Sequence, residues 1–143
     1  MTLWDVNLLV YAFRSDSPNH IEARDIIQRE RIEGQRILVS AVIASSFIRI
    51  VTNPKIFLEP SDLAEAWRFI EYLELEAHAH FATIDSETYA LFKHFCLVTN
   101  AKGNLVPDAF IAATALRYNA KFVTADRGFA RFPGLQTEIV ALS

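Results

Sequence analysis

An α/β fold with a mostly parallel central sheet is what this chain predicts, on three observations. Short apolar runs alternate with longer helical patterns, as in successive βαβ units. No repeat, low-complexity tract or Pro/Gly/Ser linker divides the 143 residues, so one domain spanning 1–143 is expected. Hydrophobic residues make up 52% of the chain and charged residues 22%, a balance that builds a core and argues against disorder.

Strands are expected near 2–5, 36–40, 78–83, 121–125 and 137–141, with helices near 7–13, 18–33, 41–52, 61–75, 86–99 and 107–118. The first strand is the run Thr2-Leu3-Trp4, closed by Asp5. Ser17-Pro18 starts the second helix, a capping side chain before a proline at the first helical position. Gly34 is its stop, and Asn53-Pro54 ends the third helix. Asp62 and Glu65 resemble a capping box for the fourth. There, Trp67, Phe69, Tyr72 and Leu73 read as the packing face of an amphipathic helix or as part of a protein interface. Phe110, Ile111, Ala112, Ala113, Ala115 and Leu116 make helix 107–118 apolar on most sides, so it should be buried and central. Pro107 sets its beginning and places Asp108 in its first turn, where the helix dipole favours a carboxylate. Lys121-Phe122-Val123-Thr124-Ala125 is a strand closed by Asp126 in the same way as the first.

No stretch approaches the roughly 20 uncharged apolar residues of a membrane span. Asp5 and Arg14 bracket the one N-terminal apolar run, which rules against a signal peptide. A single cysteine, Cys96, fits a reducing compartment, and a cytoplasmic location is expected. The formal net charge of −3 gives no global basic field for a nucleic-acid partner. A groove needs only local positive charge, for which Arg49, Lys55, Lys102, Arg127 and Arg131 are candidates; solvated surface charge is the plainer reading of each.

Asp5, Asp108 and Asp126 carry the functional argument. Each stands at a strand end or a helix start, on the edge where open α/β sheets collect ligands. Carboxylates gathered there from distant parts of a chain point to a hard divalent cation such as Mg²⁺. For Asp108 alone, helix-start chemistry is an alternative.

Asp5-Val6-Asn7, Val106-Pro107-Asp108-Ala109 and Thr124-Ala125-Asp126-Arg127-Gly128-Phe129 together resemble the PIN-domain nucleases, and more closely the VapC toxins of bacterial toxin–antitoxin pairs. The resemblance covers nearly the whole chain. It takes in Ser17-Pro18-Asn19-His20, Phe47-Ile48-Arg49-Ile50-Val51-Thr52-Asn53-Pro54 and Phe129-Ala130-Arg131-Phe132-Pro133-Gly134-Leu135. It implies a three-layer αβα sandwich and cleavage of RNA with Mg²⁺ or Mn²⁺ held by Asp5, Asp108 and Asp126. A homodimer is implied too, with a VapB-type antitoxin that places an arginine or lysine among the carboxylates. Chemistry alone reaches a similar place, because phosphodiester hydrolysis needs charge neutralised on the phosphate and an activated water.

Two departures from the family pattern stand out. Ser46 occupies the usual glutamate position, and Gly128 replaces an acidic residue common in the loop after the last strand aspartate. A catalytically weakened or inactive PIN-fold binding protein is therefore the competing reading. A phosphoaspartate receiver fits poorly, since no lysine is placed at a late strand end. Asn7 either orients Asp5 or merely starts the first helix. Asn104 is a loop residue or a supporting one. Thr124 resembles the family's hydroxyl before the last aspartate, and it also suits a strand end. His78 and His80 would share one strand face without a third ligand. His20 and Arg24, one helical turn apart, read as structural or as touching substrate. His94 and Cys96 show no activating partner, so nucleophilic catalysis is unsupported.

Overall fold

Strand pairing begins with residues at the very front of the chain. The computed structural model describes residues 1–76 and 78–142, the side chain of Glu76 excepted. Strand β1 (Thr2–Trp4) pairs in parallel with β4 (Lys121–Thr124), and β4 pairs in parallel with β5 (Thr137–Ile139). On the other side, β2 (Leu38–Val39) pairs in parallel with β3 (His80–Phe81). The Thr2 N–H donates to the Arg36 carbonyl at 2.8 Å, and Thr2 bridges Ile37, which joins the two ladders. The resulting order is β3-β2-β1-β4-β5, parallel throughout.

Helices α1 (Val6–Phe13), α2 (His20–Ile32), α3 (Ala41–Val51), α4 (Leu63–Glu76), α5 (Ser86–Thr99) and α6 (Leu105–Arg117) flank this sheet as a three-layer αβα sandwich. Helix α1 packs on α2 and α3, and α5 packs on α6. Phe47, Phe95 and Phe122 are fully buried at the centre, and Phe122 meets Phe129 with ring centroids 4.5 Å apart. As predicted, α6 is a buried helix: Ala109 and Ile111 to Ala115 are all covered. Among the described residues, no helix is long and apolar enough to cross a membrane.

Several boundaries differ from the expectation, each for a local reason. Helix α2 starts at His20, because the Ser17 hydroxyl accepts from the Asn19 N–H and holds Ser17-Pro18 in a turn before it. Its stop is as expected: Gly34, at φ +77°, lets the Gly34 N–H reach the Arg31 carbonyl and the Gln35 N–H reach that of Glu30. Helix α6 begins at Leu105, so Pro107 sits inside the first turn, where a missing N–H costs nothing. His78 and His80 do not share a strand face; His78 lies in a left-handed turn at φ +49°, and β3 is only His80–Phe81. On α3 the buried stripe is Ile43, Phe47 and Val51, with Ile50 only half-buried. On α4 the packing face is Ala66, Ile70 and Leu73, while Trp67 and Tyr72 are exposed.

Candidate functional site

Parallel pairing of β1 with β4 is what brings Asp5 and Asp126 to the same edge of the sheet. Both strands run the same way and stop together, so the residues that follow them leave at the same end. Asp5 caps α1: its backbone is extended (φ −64°, ψ 152°) and its Oδ1 accepts from the Val6 N–H at 2.7 Å. Asp126 caps the 3₁₀ turn Arg127–Arg131, with Oδ1 accepting from the Gly128 N–H at 2.8 Å. Asp108 projects from the first turn of α6.

Thr124 ties the first two together. Its side chain is fully buried, its hydroxyl donates to Asp5 Oδ2 at 2.5 Å, and the same oxygen accepts from the Asp126 N–H at 2.9 Å. A hydroxyl has one proton and spare lone pairs, so Thr124 fulfils both roles at once. The Asp5 N–H donates to the Val123 carbonyl at 2.9 Å, which fixes its backbone to the same strand.

The three aspartates repel one another. Burial pushes the Asp5 carboxyl above its ordinary range; the bonds from Thr124 and Val6 pull it back, and Asp126 pushes it up further. Burial is also the main cause for Asp108, pushed up to about 6, with added repulsion from Asp5 and Asp126 and relief from the Arg131 guanidinium. Residues 5, 108 and 126 thus form one electrostatic cluster. As the side chains stand, no three His, Cys, Asp or Glu groups among the described residues converge on a point where they could jointly hold an ion. Both oxygens of Asp5 and one of Asp126 accept from neighbouring N–H and O–H groups. The donor set still suits a hard divalent cation in charge and chemistry. Mg²⁺ typically takes one or two carboxylates and keeps several waters, so a preformed cage of three is not required.

Other predicted residues fall outside this cluster or at its margin. Asn7 is exposed in the first turn of α1, and the Asp5 carboxylate is oriented by Val6 and Thr124. Asn104 precedes α6 without a side-chain capping bond and is exposed. Ser46 is half-buried beside the apolar stripe of α3. His20 Nδ1–H donates to the Tyr11 carbonyl at 2.9 Å, which supports the structural reading of that histidine. Of the candidate rim cations, Arg131 is the one whose charge acts on Asp108. Spacing alone could not single it out. Only the turn that folds residues 127–131 back over Gly128 brings it there.

Gly128 has a spatial cause. A Cβ at this position would stand 3.0 Å from Asp126 Oδ1, tighter than ordinary packing, and 3.4 Å from Arg131 Nη2, an ordinary contact. A side chain here would require the Asp126 carboxylate to give by a few tenths of an ångström.

A parallel αβα sandwich with aspartates at the C-terminal edge of its sheet matches the PIN domain family model over residues 2–135, and the chain belongs to that family. Within it, the chain is similar to the ribonuclease VapC43 of Mycobacterium tuberculosis, with 35% identity over 132 residues, 92% of this chain and 90% of that one. It is similar to the ribonuclease VapC25 of the same organism, with 35% identity over 137 residues, 95% and 96% of the two chains. Among solved structures, VapBC2 of Rickettsia felis bound to a promoter DNA fragment shares the fold, with TM-score 0.70 at 15% identity, over 96% of this chain and 97% of that one.

Proposed function

We propose that this chain, acting as one domain over residues 1–143, is a metal-dependent endoribonuclease and the toxin of a VapBC-type pair. The observation that carries the reading is the cluster of Asp5, Asp108 and Asp126, assembled from three distant segments and left in mutual repulsion. Such an arrangement stabilises nothing by itself, and a cation of charge +2 is what relieves it. The similarity to VapC ribonucleases over most of the chain supplies the substrate class.

In this reading Asp5, Asp108 and Asp126 hold Mg²⁺ or Mn²⁺. The bound ion supplies charge neutralisation at the scissile phosphodiester and a more acidic attacking water. The protein's own part is orientation. Thr124 holds the Asp5 carboxylate in one rotamer and fixes the Asp126 backbone, so both acids keep their positions when the metal leaves. Burial around Asp5 lowers the local dielectric and strengthens every charge interaction in the cleft. Ser46, Asn7 and Asn104 are supporting candidates at the margin. A VapB-type antitoxin partner, a homodimer and a cytoplasmic location complete the proposal; the VapBC structures that share this fold support the antitoxin.

The test is cleavage of single-stranded RNA by the purified chain with Mg²⁺, with Mn²⁺ and with EDTA. Asp5→Asn, Asp108→Asn and Asp126→Asn should each lower the metal-dependent rate by on the order of 10²–10³-fold, the size of losing one preorganised charge-stabilising group. Unchanged cleavage in EDTA, or by any of the three variants, would refute the assignment. Inactivity of wild type with both metals, with RNA still bound, would favour the alternative of a PIN-fold binding protein.

A further inference from the structure

The departure at Gly128 leaves space that Arg131 fills. The Arg131 Nε–H donates to the Gly128 carbonyl at 2.8 Å, which pins the guanidinium over the turn. Asp126 Oδ1 lies 3.0 Å and Arg131 Nη2 3.4 Å from the point where a residue-128 Cβ would stand, so the guanidinium and the carboxylate border the same space. Among the described residues, Arg131 forms no ion pair, and its two terminal nitrogens have no hydrogen-bond partner. Arg14, Arg29 and Arg117 behave differently, each holding a carboxylate: Asp16, Glu138 and Asp85. A guanidinium anchored at one nitrogen and open at two others is preorganised to receive a planar pair of anionic oxygens. It stands beside the carboxylates where the phosphodiester must be brought.

We infer that Arg131, admitted by Gly128, is the phosphate-binding arm of this site and takes the non-bridging oxygens of an RNA phosphodiester beside Asp126. The inference rests on the ribonuclease reading above. It gives the chain a local cation where its net charge is negative, and so answers how an acidic site receives a polyanion. Attraction between Arg131 and Asp108 adds to the same picture, since the arginine partly offsets the repulsion that the acids impose on an incoming phosphate. The missing acid at 128 then becomes an exchange of function: a carboxylate that would serve the metal gives way to a cation that holds the substrate.

Binding is the decisive readout, because it separates a substrate contact from metal loading. A fluorescent single-stranded RNA of about 15 nucleotides, long enough to cover one binding groove, is titrated by anisotropy in EDTA over a range of salt. Arg131→Gln should weaken binding roughly tenfold at low salt and flatten the slope of log affinity against log salt by about 0.7, the value for one phosphate contact on a single strand. Arg131→Lys should keep the wild-type slope with intermediate affinity, having the charge without the fork. Gly128→Ala should change binding far less than Arg131→Gln does, because the added methyl moves only the Asp126 carboxylate by a few tenths of an ångström and leaves the guanidinium in place. A wild-type slope in Arg131→Gln, together with a lowered Tm, would make Arg131 an internal counter-ion and overturn the inference while leaving the ribonuclease reading in place. Wild type that binds no RNA in EDTA would overturn the inference, while the ribonuclease reading stands or falls on the cleavage assay with metal.

Discussion

At the start of strands β1 and β4 the fold buries one glutamate and surrounds it with partners; at their other end it gathers three aspartates whose charges repel one another. Glu30 is almost wholly covered, yet its Oε1 receives the Lys121 ammonium at 2.7 Å and its Oε2 the Thr2 hydroxyl at 3.2 Å. Lys121 continues to Glu138 at 2.9 Å, and Glu138 to Arg29 at 3.1 Å. Charge alternates along the whole chain of contacts. Asp5 and Asp126 accept hydrogen bonds and Asp108 has one nearby guanidinium, but among the described residues there is no matching set of cations. The same two strands therefore carry a satisfied network at one end and an unsatisfied one at the other. The first contributes to the fold, and the second leaves like charges uncompensated.

The strongest way to break this contrast is to unbalance the satisfied end. Lys121→Met leaves Glu30 buried with only the Thr2 hydroxyl, and should cost about 3 kcal/mol in urea unfolding. Adding Glu30→Gln to Lys121→Met should recover most of that loss, since the uncompensated charge is then gone. If Lys121→Met unfolds like wild type, the network contributes little and the two ends do not differ as described.

The unsatisfied end should respond with the opposite sign. Without metal, a carboxyl whose pKa is raised from 3.8 to about 6 in the folded chain binds its proton more tightly there than in the unfolded chain. Its contribution to stability is therefore best below about pH 4 and declines as pH rises toward 6. Asp108 is half-exposed, so solvent screening discounts the effect to about 1 kcal/mol. Asp108→Asn should stabilise the protein by about that much at pH 8 in EDTA, and by almost nothing at pH 4. A destabilised Asp108→Asn at pH 8 would mean the acids are not in conflict.

A surface carboxylate sharpens the comparison further, with a smaller effect. Asp85 caps α5 through the Thr88 N–H and receives two nitrogens of Arg117. The Arg117 guanidinium, with help from the Thr88 bonds, holds its carboxyl well below the usual carboxylate range. Its stabilising effect is thus complete above the unfolded value of 3.8 and fades only as pH falls below it. Asp85→Asn should lower Tm by roughly a few degrees at pH 7, with the difference shrinking near pH 2. A deficit that stays the same size at pH 2 would show that the charge on Asp85 is not what stabilises it.

Much of this layout is readable from residue order. Every helix and strand falls near its expected place, because periodicity and Gly/Pro punctuation report local preference directly. The three aspartates stand out for the same reason, each closing an apolar run or opening a helix. Glu30 does not stand out. In Gln28-Arg29-Glu30-Arg31 it reads as solvent-facing, and only Thr2 and Lys121, reaching across from two strands, make its burial tolerable. Thr124 shows a suitable side chain in sequence, but its double bond to Asp5 and Asp126 depends on the pairing of β1 with β4. Ser17-Pro18 misled by two residues because a hydroxyl can cap a turn as well as a helix. His78 misled because one left-handed residue removes it from the strand.

One consequence follows from the place of β1 in the sheet. The chain's first strand is its central one, and Thr2 pairs with Lys121 across almost the whole length of the sequence. During synthesis β1 can dock on β2 early, yet its second edge stays open until β4 has left the ribosome. Asp5 is made well before its companion Asp126, which lies 121 residues further along the chain. A nascent chain that has not yet reached β4 accordingly carries Asp5 alone at an unfinished sheet edge, and the acids come together only once residues 121–126 are available to fold. Long-range parallel closure of this kind is slow, so the newly made protein passes through an interval in which its sheet is partly paired and the three acids are still apart.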